Sequence, residues 1–135
     1  MTLRNQKRDF LRVVYERTTK DEITWKICPT NILTTRILNS DWVYKAFKAE
    51  LDSDTRIYLI LKKTPSTNED GEFLYDHIHI ELYVMQDARG AESKNVLTIT
   101  TNDLDPSELS LLYSVIEDKN SDSTDFLDDF FKKNK

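Results

Sequence analysis

The stretch that decides the fold reads LYDHIHIELYVM and occupies residues 74–85. Apolar and polar residues alternate along it, which is typical of a β-strand with one face on a core and the other toward solvent. The pattern predicts a core-facing set made of Leu74, Ile78, Ile80, Leu82 and Val84. It predicts an outward-facing set made of Tyr75, His77, His79, Glu81 and Tyr83.

Shorter β-like segments surround this strand. They lie at residues 23–27, 30–38, 42–51, 56–63 and 96–100. The third of them, 42–51, is also compatible with a helix, and Pro65 is expected to end the fourth. The connections are too short for helical crossovers, so we predict antiparallel pairing in a meander. Residues 66–71 have the composition of an exposed, mobile loop. With only two glycines in the chain, tight glycine-dependent turns are not expected.

Two amphipathic segments flank the predicted sheet. The first covers residues 3–18 and carries an apolar stripe made of Leu3, Phe10, Leu11, Val14 and Tyr15. The second begins at Asp105-Pro106-Ser107-Glu108, which combines a capping aspartate with a proline suited to the first helical position. Its core-facing residues are Leu109, Leu112, Tyr113 and Ile116. We therefore predict an α+β domain over residues 1–117, with an antiparallel sheet of about five strands flanked by an N-terminal and a C-terminal helix.

The amino-acid composition excludes or disfavours several classes of function. The isolated glycines, Gly71 and Gly90, exclude a phosphate-binding loop and a dinucleotide fingerprint, and no cofactor is expected. A formal net charge of −5 argues against direct nucleic-acid binding. No apolar run reaches the roughly 18 residues of a membrane span. One cysteine, Cys28, and the lack of an apolar leader indicate a cytoplasmic protein.

Charge is unevenly spread along the chain. The first twenty residues carry six basic groups against two acidic ones, whereas residues 103–135 are strongly acidic. Such polarity either reflects an uneven solvated surface or steers one end of the molecule toward a charged partner.

Residues 118–135 form an acidic-aromatic tail, which we expect to begin with a polar linker at 118–124 and to continue as a short helix. In a helix, Phe126, Leu127, Phe130 and Phe131 make one apolar stripe next to the acidic groups of Asp125, Asp128 and Asp129. Two interpretations stay open, in which the stripe docks on a partner protein or a second copy, or folds back on its own sheet.

Two further hypotheses concern other chemistry. His77, His79 and Glu81 are two apart on the predicted strand, so they share a face and are the candidate ligands of a metal-dependent hydrolase. Alternatively, an acidic inhibitor could imitate nucleic acid through Asp118, Asp122, Asp125, Asp128 and Asp129.

The order of the predicted helices and strands resembles that of a known group of small proteins. An N-terminal helix, a threonine-containing turn, the strand Ile23-Thr24-Trp25, a meander and a helix with Leu111-Leu112-Tyr113 follow one another. This resembles small bacterial and phage proteins, including some mobile-element accessory and defence-related proteins. The resemblance implies an accessory or inhibitor protein of a bacterial or phage system, and it assigns a functional role to no residue of this chain. Because no catalytic motif is present, we expect a non-enzymatic protein-protein interaction module that docks through its tail.

Overall fold

The computed structural model describes residues 2–28, 43–87, 94–101 and 106–134. Their elements, in chain order, are α1 (Leu3–Thr19), β1 (Lys26–Ile27), β2 (Val43–Glu50), β3 (Thr55–Thr67), β4 (Phe73–Gln86), β5 (Lys94–Ile99), α2 (Pro106–Lys119) and α3 (Asp122–Lys133). The described strands form one antiparallel sheet in the order β1-β2-β3-β4-β5. The predicted α+β class, with one helix before the strands and helices after them, is therefore confirmed. The predicted strand at 30–38 lies outside the described residues.

The core lies between one face of the sheet and the helices α1 and α2. Ile80, Leu82 and Val84 of β4 are buried there, as predicted. Leu109, Leu112 and Ile116 of α2 are fully buried against the same cluster, which confirms the predicted face of this helix. The alternating side chains of β4 thus have the predicted direction over the second half of the strand.

The prediction that Tyr83 belongs to the exposed, outward-facing set is wrong, because its side chain is buried. It lies with Tyr58, Ile60 and Met85 in a second buried cluster, formed by the side chains that alternate with those of the main core. Alternation identifies which side chains share a face, but it does not tell whether solvent reaches that face.

The prediction that Leu74 and Ile78 lie in the core is also wrong, because both side chains are exposed. The reason is the length of the β3-β4 hairpin. Among the described strands, the pairing of β2 with β3 stops at Lys62, and the pairing of β5 with β4 begins only at Leu82. Beyond these points β3 and β4 continue as a two-stranded ribbon past the main core.

The loop expected at 66–71 is shorter than predicted, because β3 continues to Thr67 and β4 begins at Phe73, which leaves a tight turn at the tip of the ribbon. Pro65 does not end β3, as was predicted, but pairs with Asp76 in the ribbon. Proline has no backbone N–H, and this is tolerated here because no described strand pairs with the outer edge of β3 at that point. The Asn68 side-chain oxygen accepts from the backbone N–H groups of Asp70 (3.0 Å) and Glu72 (2.9 Å). Gly71 has φ of 80°, so this tight turn depends on a glycine, and the expectation that the chain lacks such turns is wrong here.

The end of α1 is fixed by a buried polar contact. The Thr18 hydroxyl donates to the carbonyl oxygen of Val14 at 2.7 Å and accepts from the Trp25 indole N–H at 3.0 Å. This contact holds the chain after α1 against the core before it enters β1. The predicted strand at 23–27 therefore shortens to Lys26–Ile27. Leu3, predicted on the apolar stripe of α1, is exposed because it is the first residue of that helix and lies beyond the core.

Candidate functional site

The candidate site is α3, the helix formed by the acidic-aromatic tail. Its first turn carries Asp122 and Asp125 and its last turn carries Lys132 and Lys133, which suits the partial charges at the two ends of a helix. The linker predicted at 118–124 is shorter than expected. α2 continues to Lys119 and α3 begins at Asp122, so the polar residues of this segment extend and start helices instead of forming a loop.

The junction between α2 and α3 is held by hydrogen bonds. The Asn120 side chain donates to the carbonyl oxygen of Ile116 at 2.9 Å, and the Ser121 hydroxyl donates to that of Asp118 at 3.1 Å. The backbone N–H of Asp125 donates to the carbonyl oxygen of Ser121 at 3.3 Å. Lys119, at the end of α2, lies 2.7 Å from the Asp21 carboxylate in the turn after α1. These bonds cap the end of α2 and begin α3, and the ion pair ties the end of α2 to the turn after α1.

The four apolar side chains of α3 are exposed to solvent. The exposed fractions are 67% for Phe126, 47% for Leu127, 48% for Phe130 and 59% for Phe131. The ring of Phe130 lies 6.4 Å from that of Phe126 and 5.7 Å from that of Phe131, measured between centroids, so the aromatic groups form one continuous patch. We call these four side chains the apolar stripe. Every described side chain of α3 is exposed, which means that its own domain does not cover the stripe.

The acidic residues of α3 lie on the other side of the helix. At 3.6 residues per turn, Asp125, Asp128 and Asp129 point away from the apolar stripe. All three are exposed. The structure thus brings together the predicted partner-binding residues of the tail, with one apolar and one acidic face. Asp118, part of the hypothetical nucleic-acid mimic, belongs to α2.

The histidine strand has a different arrangement. The rings of His77 and His79 stack with 5.6 Å between centroids, and Tyr75 lies 5.2 Å from His77 on the same face of β4. The Glu81 carboxylate lies 2.6 Å from the Lys62 amino group, which neutralises its charge. Within the residues that the structure describes, no group of three or more His, Cys, Asp and Glu side chains is placed to hold a metal ion. The metal site at His77, His79 and Glu81 stays a prediction.

Cys28 lies in the second buried cluster, next to β2. Burial raises the pKa of its thiol, and the positive charge of Lys48 offsets this only in part. The thiolate is the reactive form of cysteine, so Cys28 has the environment of a packing residue rather than of a nucleophile.

Two surface features were missed by the sequence reasoning. A groove of about 290 Å³ lies between α1 and α2 and is lined by Leu11, Arg12, Tyr15, Glu16, Glu108 and Leu111. The one feature of the sequence that pointed to this groove was Leu111, an apolar residue outside the core-facing stripe of α2. The second feature is the ribbon of β3 and β4, where Phe73, Leu74, Tyr75 and Ile78 are exposed. The feature of the sequence that pointed to this ribbon was the length of the alternating segment at residues 74–85.

Comparisons with known proteins identify no relative. No protein-family model matches the chain, and no similar curated protein or solved structure was found. Among the described helices, none has the length and apolar character needed to cross a membrane.

Proposed function

We propose that this protein is a non-enzymatic protein-protein interaction module that docks through α3. The observation that carries the proposal is the exposure of the apolar stripe on a helix that its own domain leaves uncovered. Large apolar side chains that adjoin one another on a surface mark interaction sites more often than isolated ones do. An amphipathic helix of this kind binds by laying its apolar face in a hydrophobic groove.

The size of the stripe sets the strength of docking. Full burial of one large apolar side chain contributes about 1.5–3 kcal/mol, so the four side chains of the stripe contribute at most about 6–12 kcal/mol. Association costs about 4–15 kcal/mol in lost translational and rotational freedom. We therefore expect a reversible contact with a dissociation constant on the order of micromolar or weaker.

The biological setting follows from sequence features and from the layout. The single buried cysteine suits a reducing compartment, so we place the protein in the cytoplasm. The resemblance in layout to small bacterial and phage proteins supports a role as an accessory or inhibitor protein of such a system. In this role the protein changes the activity of a partner by occupying a groove on it.

The first test is affinity capture from the lysate of the native host cell. The full chain is compared with a stripe variant, Phe126→Ser with Phe130→Ser, and with an acidic-face variant, Asp128→Asn with Asp129→Asn. All four positions are exposed on one helix, so both variants keep the fold. We expect the stripe variant to lose a partner that the acidic-face variant retains. A partner held equally by all three chains would contradict docking through the stripe.

The acidic face of α3 favours a second candidate, an inhibitor that occupies a basic groove on a nucleic-acid-binding protein. Its support is the exposure of Asp125, Asp128 and Asp129 on one face. The same capture separates the two candidates, because the acidic-face variant then loses the partner and the stripe variant keeps it. Binding of this kind also weakens with added salt, since exposed charges are screened.

A further inference from the structure

We infer that His77 and His79 form a two-ligand binding site for a divalent first-row transition metal ion, with Cu²⁺ bound most tightly. The inference goes beyond the proposed function, because both residues belong to the β3-β4 ribbon and not to α3. Three observations carry it. The two side chains share one face of β4, their rings lie close together and nearly parallel, and the neighbouring Glu81 is held by other groups.

The site contains every histidine of the chain. The sequence has two histidines, and they lie two positions apart on β4. Side chains two apart on a strand project from the same face, with about 7 Å between their Cα atoms. Pairing with β3 places His77 opposite Thr64 and His79 opposite Lys62, which fixes the backbone beneath both rings. The two imidazoles therefore reach one region of the surface from a regular, hydrogen-bonded ribbon.

The two rings lie close enough to share one ion. Their centroids are 5.6 Å apart and their planes differ by 17°. Metal–nitrogen bonds of about 2.0–2.1 Å, at tetrahedral or square-planar angles, hold two ligand nitrogens about 3–3.5 Å apart. Rotation about χ2, a soft torsion in histidine, tilts the rings toward a common point. Because His77 is exposed, its rotation meets no packed core.

Tyr75 restricts the side of His77 that faces away from His79. Its ring is the next one along the same face of β4, and its centroid lies 5.2 Å from that of His77. His77 thus stands in a row between Tyr75 and His79. This row reduces the conformational freedom that the imidazoles lose when they bind an ion, and such preorganisation of ligands raises affinity.

Glu81 lies on the same face as the histidines but is engaged elsewhere. Its carboxylate lies 2.6 Å from the Lys62 amino group and accepts a hydrogen bond from the Tyr83 hydroxyl. A metal ion would have to compete with the charge of Lys62 for this carboxylate. The ion pair also offsets the positive charge of Lys62 next to His79, which would otherwise repel a cation. The protein ligands are therefore the two imidazoles, and water takes the other positions.

The type of donor atom selects the class of ion. Imidazole nitrogen suits copper, nickel and zinc, whereas Mg²⁺ and Ca²⁺ take oxygen ligands. For a given nitrogen site, affinity among the divalent first-row ions is greatest for Cu²⁺ and lower for Zn²⁺. Catalytic zinc sites have three protein ligands, so two imidazoles define a binding site rather than the centre of a hydrolase. The hydrolase hypothesis, by contrast, needs Glu81 as a ligand.

The test titrates Cu²⁺ alone into the full-length protein by isothermal calorimetry. Electron paramagnetic resonance of the loaded sample then counts the nitrogen ligands. The ligand variants are His77→Asn, His79→Asn and the two combined. Ile78→Asn is the matched control, because Ile78 is exposed between the two histidines but lies on the opposite face of β4. Glu81→Gln tests whether the carboxylate takes part, and circular dichroism establishes that each variant keeps the fold.

We expect one Cu²⁺ per chain, with two nitrogen ligands. Loss of an outer-shell partner weakens metal binding about 10–100-fold, so loss of a ligand in either single variant should weaken it at least about tenfold. Ile78→Asn and Glu81→Gln should bind as tightly as the wild type. Ile78→His combined with His79→Asn keeps two histidines but places them on opposite faces, so this variant should bind as weakly as the single ligand variants.

Three results would overturn the inference. Equal binding by the wild type and the single ligand variants would show that each imidazole binds alone. Binding that is unchanged when both histidines are replaced would show that they hold no ion. A loss in Glu81→Gln as large as that in His77→Asn would make the carboxylate a third ligand and favour the hydrolase hypothesis instead. The proposed function is tested separately, because its variants all lie on α3.

Discussion

The hydrogen bond between Thr18 and Trp25 makes replacement of Thr18 by valine a sharp test of the fold. Valine has nearly the same shape as threonine but lacks the hydroxyl group. In the Thr18→Val variant the Trp25 indole N–H loses an acceptor that lies 3.0 Å away. Both side chains are buried, so water cannot replace this acceptor without opening the corner between α1 and β1.

The expected loss follows from the cost of an unsatisfied buried donor. Such a group costs about 1–3 kcal/mol. The second bond, from the Thr18 hydroxyl to the carbonyl oxygen of Val14, adds little because that oxygen lies within a helix and accepts a backbone bond. Thr18→Val should therefore lower the free energy of unfolding by about 2 kcal/mol, or the melting temperature by about 6–10 °C for a domain of this size.

Urea titration followed by circular dichroism measures this loss. Thr19→Val is the matched control, because the Thr19 hydroxyl makes a similar bond to the carbonyl oxygen of Glu16 but is exposed. We expect the control to change the free energy of unfolding by less than about 0.5 kcal/mol. Trp25→Phe removes the donor, so the loss assigned to the unsatisfied donor disappears in that background, and a double-mutant cycle with Thr18→Val should give a coupling of about 2 kcal/mol. Equal effects of the two threonine variants, or strictly additive losses in the cycle, would refute the reasoning.

Turn geometry and burial set the outcome of three further experiments. Gly71→Ala should lower the free energy of unfolding by about 1 kcal/mol in urea titration, because φ there is 80° although the added Cβ meets nothing within 4 Å; an unchanged value would mean that the turn relaxes. Iodoacetamide should modify Cys28 slowly in the folded chain and rapidly in urea, because burial raises the pKa of the thiol; equal rates would contradict its burial. Burial, and to a smaller extent Glu81, raises the pKa of Tyr83, so above about pH 10 the unfolded tyrosine loses its proton before the folded one and stability falls as pH rises. The urea midpoint should therefore fall less steeply above about pH 10 in Tyr83→Phe than in the wild type, and parallel curves would argue against this assignment.

The alternation in residues 74–85 predicted the strand and the side-chain directions, because the pleat is a local property of the backbone. Burial is not local. Leu74 and Leu82 have the same place in the pattern, yet only Leu82 lies where β5 and the helices extend the core. The sequence around each residue contains no information about where the neighbouring strands stop.

The candidate site shows the same limit. The spacing of Phe126, Leu127, Phe130 and Phe131 predicted one face of a helix, since that face depends only on helical periodicity. Whether the domain would cover the face depended on how α3 lies against the rest of the fold, which helical periodicity does not determine. The groove beside Leu111 was beyond prediction, because it exists only where two helices distant in sequence come together.

The most direct measurement for the central claim is hydrogen exchange of the backbone amides of residues 122–133. Exchange is measured by mass spectrometry in dilute protein and again at high concentration or with a captured partner. We predict rapid exchange in the dilute protein, because an exposed helix without tertiary packing opens readily, and strong protection once its stripe is covered. Strong protection that is the same at every concentration and without a partner would show that α3 packs on its own domain, which would contradict docking through the stripe.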